Sequence, residues 1–313
     1  MINIINKRYW FFLISALIIV PGLISLILPP HLNLGNDFKP GTTMTVSFNP
    51  AVTESQLRAS LTDAGYQEAT VQYSQSTKEF FLSLRVISPD EETKLKTDLQ
   101  ASLNSQPTVL DLSTTSSDIA TETGKKAIIA IIIAAIFIMA YISISFRKMP
   151  RPTRWGICAV IALLHDVLVV VGIFSILGRV MGTKIDQLFI TGVLTVAGYS
   201  VHDTIVVFDR IRENITKGTN KNFEKVVDFS INETFVRSLN TSLTVTFVLF
   251  ALFLLGGSTI HDFVLVLLIG VITGTYSSIC NASALLVVWE NKEWRRFISW
   301  IPGVPKYKKP EVA

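Results

Sequence analysis

Two carboxylates stand inside stretches that are otherwise apolar enough for hydrocarbon. Asp166 lies in "ALLHDVLVVVGIFSI" and Asp203 in "GYSVHDTIVVFDRIREN", each directly after a histidine, His165 and His202. A charged side chain at the centre of a bilayer costs at least ~2.5–3.5 kcal/mol, so it needs a partner or a task. The chemistry open to a buried carboxyl group is the uptake and release of a proton, with a guanidinium as counter-ion. Arg237, in "NETFVRSLNTSLT", is the candidate cation, and Thr241 and Thr244 follow it on the same helical face. Such a polar stripe could line a hydrated path. Neighbours on a helix point about 100° apart, so at most one of His165 and Asp166 faces the centre of a bundle squarely.

The elements that must hold these groups are membrane helices. The chain has 313 residues, of which 49% are hydrophobic and 17% charged, against about 25% charged in a soluble domain. The net charge of +4 invites nucleic acid as a partner. The basic residues, however, cluster beside apolar spans, the pattern of membrane topology. Cys158 and Cys280 both fall inside apolar spans and lack metal-ligand spacing, so they read as packing residues. No metal or cofactor site is expected.

A transmembrane helix needs ~20 mainly apolar residues. Six stretches qualify: Tyr9 to Leu28, Lys126 to Phe146, and about Trp155 to Leu177, Leu188 to Phe208, Phe235 to Leu255 and Phe263 to Trp289. The first reads as a retained helix, since no small-x-small cleavage site precedes Pro29 and Pro30. Arg147, Lys148, Arg151 and Arg154 crowd the loop between spans two and three. Lys7 and Arg8 precede span one, and Arg295, Arg296, Lys306, Lys308 and Lys309 follow span six. The positive-inside rule then makes both termini cytoplasmic and the segment after span one extracytoplasmic, with Lys125 and Lys126 as the exception.

Asp203 would lie about 7 Å inside the cytoplasmic end of span four. Span five runs back antiparallel and brings Arg237 to a similar depth, so an Asp203–Arg237 pair is expected. Asp166 falls roughly halfway across span three. In the loop between spans four and five, Phe223, Val226, Val227 and Ile231 share one face. That pattern predicts an amphipathic helix lying on the inner surface. Gly270 and Gly274 form a small-xxx-small packing face in span six.

Between spans one and two, "TTMTVSF" alternates as a strand, and Thr53 with Gln56 forms a capping box for the helix that follows. "YQEATVQYS" and "EFFLSLRVI" read as strands around a turn at Gln75 to Lys78. Ser88 and Pro89 open a second helix, and "PTVLDLS" closes as a strand. The order β-α-β-β-α-β is ferredoxin-like. No cluster of His, Cys and carboxylate marks it for catalysis, so it reads as a binding or spacing module. The fold class is thus a polytopic α-helical membrane protein: six transmembrane helices with a small α+β extracytoplasmic domain between helices 1 and 2. Its parts are residues 1–28 with the first span, the extracytoplasmic domain 29–124, a five-helix bundle 125–292 and a basic cytoplasmic tail 293–313.

"GNDFKPGT" after span one, the two acidic motifs above, "NETFVRSLNTSLT" and "GTYSSI" in span six together carry a resemblance. Over essentially its whole length the chain resembles the SecF side of the SecD/SecF family, bacterial protein-export subunits related to the resistance-nodulation-division transporters. The resemblance implies a subunit without covalent chemistry that uses the proton motive force to assist late translocation of preproteins across the cytoplasmic membrane. It makes Asp203 and Arg237 the acid and base of proton movement, puts Asp166 in the same core, and leaves His202 and Thr241 secondary. Implied partners are a SecD-type subunit, a SecYEG-type channel, a YidC-type insertase, a YajC-type subunit, the translocating preprotein and membrane lipid, with no nucleic acid. Two positions depart from the usual pattern: Pro40 replaces the first glycine of Asp-Phe-x-Gly-Gly, and His202 stands where Asn is common.

Three other functions fit parts of the pattern. A stand-alone lipid or drug exporter of the same ancestry needs both halves of a duplicated bundle, and only one set of five spans follows the outer domain. An intramembrane aspartyl protease could use Asp166 and Asp203, but the Gly-x-Gly-Asp setting is absent. A structural membrane scaffold would use the Asp203–Arg237 pair only to pack helices.

Overall fold

A computed structural model describes residues 3–293, apart from Pro30, Gln75, Ser76 and the side chains of Ser258 and Thr259. The expected turn at Gln75 and the basic tail with Arg295, Arg296, Lys306, Lys308 and Lys309 lie outside the described residues. Six helical stretches are long and apolar enough to cross a membrane. They are α1 (Arg8–Ile27), α4 (Ser117–Ser145), α5 (Thr153–Val180), α6 (Gln187–Thr216), α7 (Phe223–Leu255) and α8 (Ser258–Tyr276). The last continues through a π-helical turn, Ser277–Ala282, into α9 (Ser283–Glu290).

At 1.5 Å per residue, ~20 residues cross the hydrocarbon. α6 with 30 residues and α7 with 33 outrun it. The surplus forms a helical hairpin joined by residues 217–222. This corrects the expectation of a separate amphipathic helix on the inner surface. Phe223, Val226, Val227 and Ile231 begin α7 itself; Val226 is buried, and the other three pack into the same apolar core as Ile4, Ile5 and Ile211. Polar ties hold the hairpin: Arg210 donates to both carboxylate oxygens of Glu233 at 2.8 and 2.6 Å. Asn214 donates to Ser230 at 2.9 Å and to Glu233 at 2.7 Å.

A charged clamp joins the starts of α1 and α7 to the end of α9. Glu293 receives two bonds from Arg8, at 3.0 and 2.6 Å, and one from Tyr9 at 2.7 Å. Asn291 donates to Glu224 at 2.7 Å, and the Asp228 carboxylate accepts the backbone N–H groups of Ile4 and Ile5.

Glycines set where the helices cross. A Cβ on Gly22 would lie 2.6 Å from the Gly172 backbone, so α1 and α5 touch there main chain to main chain. On α8, a Cβ at Gly270 would lie 2.1 Å from Val196, and one at Gly274 would lie 3.0 Å from Ser200. The small-residue stripe is the seat for α6. It carries Ser200 to within reach of the π-helical turn.

The chain divides into two compact units: the helical unit of residues 1–33, 130–183 and 188–313, and a second unit of residues 34–129 with 184–187. The second holds β1 (Gly41–Asn49), α2 (Glu54–Asp63), β2 (Thr70–Ser74), β3 (Glu79–Leu84), α3 (Pro89–Leu103) and β4 (Gln106–Thr115). Its sheet is antiparallel, ordered β2-β3-β1-β4, as the β-α-β-β-α-β reading requires. The expected capping box of Thr53 with Gln56 forms, and Ser88, the expected cap of the second helix, forms one as well with Glu91. Alternate residues Met44, Val46 and Phe48 of β1 face Leu57, Leu61, Leu95 and Leu99 of the two helices in one core. Pro40 stands exposed just before β1, where its missing N–H leaves no ladder bond unmade.

Candidate functional site

A seam of hydroxyl groups crosses the helical unit and holds both acids. α5 contributes Asp166, which is fully buried. Its Oδ2 accepts from Ser200 on α6 at 2.5 Å and from Ser277, in the π-helical turn, at 2.7 Å. Its Oδ1 lies 2.9 Å from Nδ1 of His165. The histidine ring is partly buried and tilted against Tyr276, with centroids 6.3 Å apart. Asp166 therefore faces the interior squarely and His165 flanks it.

Asp203, one turn along α6 from Ser200, is 3% exposed. Its partner is the Ser242 hydroxyl of α7, at 3.3 Å. Ser242 also accepts from Tyr199 at 3.2 Å and from Thr275 of α8 at 2.6 Å. One donor and two acceptor positions exhaust a hydroxyl, so Ser242 is a saturated hub. Between the two acids, Thr204 and Ser278 lie 2.8 Å apart, and both donate to the carbonyl of Ser200. Four spans thus share one polar seam.

The expected Asp203–Arg237 pair is not formed. Arg237 lies on the exposed side of α7, and no ion pair or side-chain hydrogen bond engages it among the described residues. Helical geometry gives the reason. On α7 the residues turned inward are Ser238 and Ser242, one place on from Arg237 and Thr241, or about 100° around the axis. Thr241 is exposed and its hydroxyl returns to the Arg237 carbonyl at 2.9 Å, while that of Thr244 returns to Thr241 at 2.7 Å. His202 is exposed as well. No hydrogen bond joins Asp166 to Asp203 among the described residues; each acid keeps its own partners.

The seam can register a proton. Every neighbour of Asp166 can donate to a carboxylate. The single hydrogen of Ser277 has a second acceptor, the Gly274 carbonyl at 3.2 Å. Protonating Asp166 would turn a hydroxyl away and give Ser277 back to its own helix, at a π-helical turn of the kind often found at functional sites. Ser200 meets Asp166 through its hydroxyl but Thr204 and Ser278 through its backbone carbonyl, so the polar groups around the two acids share Ser200 without forming one continuous hydroxyl chain among the described residues. Ser200, Thr204, Ser242, Thr275, Ser277 and Ser278 escaped the sequence reading. Their signal was there: Ser238 and Ser242 repeat at i+4, as do Ser200 and Thr204.

Residues 95–292 match the family described as protein export membrane protein SecD/SecF, C-terminal, and residues 30–52 match the SecD/SecF GG motif. The protein translocase subunit SecF of Thermobaculum terrenum is 48% identical over 95% of this chain and 96% of its own. That of Anaerolinea thermophila is 39% identical over 95% and 97%. The protein translocase subunit SecDF of Bacillus subtilis is 36% identical over 93% of this chain but only 38% of its own length. The crystal structure of SecDF, a translocon-associated membrane protein from Thermus thermophilus, matches with a TM-score of 0.76 at 32% identity. It covers 93% of this chain and 39% of that one. Asp166, Asp203 and the hydroxyls around them all fall within the first matched region. The chain belongs to the SecD/SecF family of protein export membrane proteins, as a multi-pass subunit of the SecF type.

Proposed function

We propose that this chain uses the proton motive force to assist late translocation of preproteins across the cytoplasmic membrane, with Asp203 as the group that takes and releases the proton. The observation that carries this reading is an acid buried at 3% exposure, bonded to the Ser242 hydroxyl at 3.3 Å and in no ion pair with a lysine or arginine among the described residues. A carboxylate so placed would be costly in a membrane interior, whereas a neutral carboxylic acid is at home there. In the proposed cycle this arrangement is the proton-bearing state. A shift of α7 that brought Arg237 alongside would favour the carboxylate and expel the proton. Moving one charge across the membrane is worth about 2.3 kcal/mol per 100 mV, roughly a 50-fold bias on a two-state bundle. Asp166 would report the change to the π-helical turn, and His202 and Thr241 stand aside from the exchange.

The same reading needs a second bundle. Arg237, Asn240, Thr241 and Thr244 are exposed on α7. The short polar side chains among them cannot snorkel from membrane depth. A SecD-type partner fits that face, and in the Bacillus subtilis SecDF chain the portion beyond the 38% matched leaves room for one. The orientation proposed has both termini cytoplasmic and the domain 29–124 extracytoplasmic, where it would act on a polypeptide leaving a SecYEG-type channel. YidC-type and YajC-type subunits belong to the same proposed assembly.

The test is export into vesicles carrying the complete assembly, with and without a proton gradient. Asp203→Asn should assemble normally and lose all stimulation by the gradient. Retained stimulation would end the proton reading.

A further inference from the structure

The link from α5 to α6 is more than a connector. Its residues 184–187 belong to the sheet unit. Leu34 pairs with Ile185 in a parallel β-bridge, and the N–H of Gly35 donates to the Ile185 carbonyl at 2.7 Å. A Cβ at Gly35 would stand 3.0 Å from that same oxygen, which explains a glycine there. Lys184 donates to Ser83 of β3 at 3.3 Å. Burial, and then the neighbouring charge of Lys39, push the Lys184 amine below its ordinary value, as expected of a lysine packed in. The fourth tie is Asp37. Its Oδ2 accepts the backbone N–H of Gln187, the first residue of α6, at 2.8 Å.

That N–H is one of the first four of the helix, which have no partner inside it. A carboxylate there satisfies a donor and suits the positive end of the helix dipole. This acceptor comes from outside the helix, from Asp37 in the motif "GNDFKPGT". Past Asp37 a tight turn, with Phe38 and Lys39 both bonded back to Gly35, leads directly into β1 at Gly41. β1 is an inner strand, paired on both sides. The helix capped is the one that carries Asp203.

We propose that Asp37 is a positioning residue: it fastens the first turn of α6 to the stretch entering β1, so that displacement of α6 is delivered to the sheet. The coupling to export rests on the proton reading above, but the fastening itself stands apart from it.

Two readouts in the complete assembly test it. Asn is as good a cap as Asp, so Asp37→Asn should behave as wild type. Asp37→Ala should speed hydrogen exchange at Gln187 about fivefold, the size that a lost helix cap carries. It should also keep Asp203-dependent proton uptake while losing most gradient-driven export. A disulfide between Leu34→Cys and Ile185→Cys, with Cys158 and Cys280 replaced by Ala, should restore export to Asp37→Ala. Unchanged exchange at Gln187, wild-type export by Asp37→Ala, or a disulfide that blocks export would each overturn the joint. If Asp203→Asn left proton uptake untouched, the proton reading would fall, and the exchange rate at Gln187 would still decide the fastening.

Discussion

The hydroxyl of Ser242 lies 3.3 Å from Oδ2 of Asp203, in the place a counter-ion would take. Arg237, on the same helix, faces the other way. Asp203 is therefore served by a group that can bond to either protonation state, and the guanidinium is exposed on the opposite side of α7.

Ser242→Ala removes this hub and leaves Asp203, Tyr199 and Thr275 each short of one partner. Hydrogen bonds between membrane helices average ~0.6 kcal/mol and reach ~1.7 at most. The bundle should lose about 1–2 kcal/mol of stability on that scale and still assemble. Export driven by the gradient should fall but not vanish, in contrast to Asp203→Asn. Equal loss in the two variants, in the same vesicle assay, would mean that Ser242 does more than position the acid.

The helix crossings make a sharper stability prediction. Gly22→Ala sets a methyl 2.6 Å from the Gly172 backbone, which no side-chain rotation can relieve. Overpacking of this kind costs ~1–3 kcal/mol. Gly198→Ala meets nothing within 4 Å, and in a helix interior alanine is favoured over glycine by up to ~1 kcal/mol. Thermal unfolding in detergent should separate the two variants clearly. Matching unfolding temperatures would contradict the close approach of α1 and α5.

Acid should loosen the clamp at Glu293. Burial opposes ionisation of this carboxyl, but hydrogen bonds from Asn291, Tyr9 and Arg8 outweigh it and hold the group below its ordinary value of 4.5. A carboxyl lowered on folding stabilises the protein above its unfolded value, and that stability is lost as pH falls through the folded value. Stability should therefore drop as the pH is taken below about 4.5. Arg8→Ala leaves a buried acid short of its cation, and breaking such a pair costs about 3–5 kcal/mol when fully enclosed. The variant should be less stable at neutral pH and lose less on acidification. A wild-type pH profile in Arg8→Ala would show that the clamp contributes nothing.

The spans and the β-α-β-β-α-β unit were legible because length, period and caps are local. Thr53, Gln56, Ser88 and Pro89 do what their spacing says, and Gly270 and Gly274 pack a helix as small residues do. The acids Asp166 and Asp203 were legible because burying them in hydrocarbon is costly wherever they point. Their partners were not. Whether α7 turns Arg237 or Ser242 toward α6 is a rotation of about 100°, set by packing along the whole helix and not by any local motif. Serines are silent in a sequence for a related reason: small and tolerated in membrane helices, they show their role only once another helix meets them. The strap at residues 184–187 is likewise a long-range pairing, with Asp37 150 residues before the N–H it caps.

The central claim is that Asp203 works by exchanging a proton and Arg237 by answering it. The double change Asp203→Asn with Arg237→Gln tests this most directly, because it keeps shape and hydrogen-bonding capacity while removing both charges. The measurement is export into vesicles holding the complete assembly, as a ratio with and without a proton gradient. The account predicts normal assembly and a ratio of one, with no rescue relative to either single change. A ratio restored to that of the wild type would contradict it and leave the two residues as packing partners.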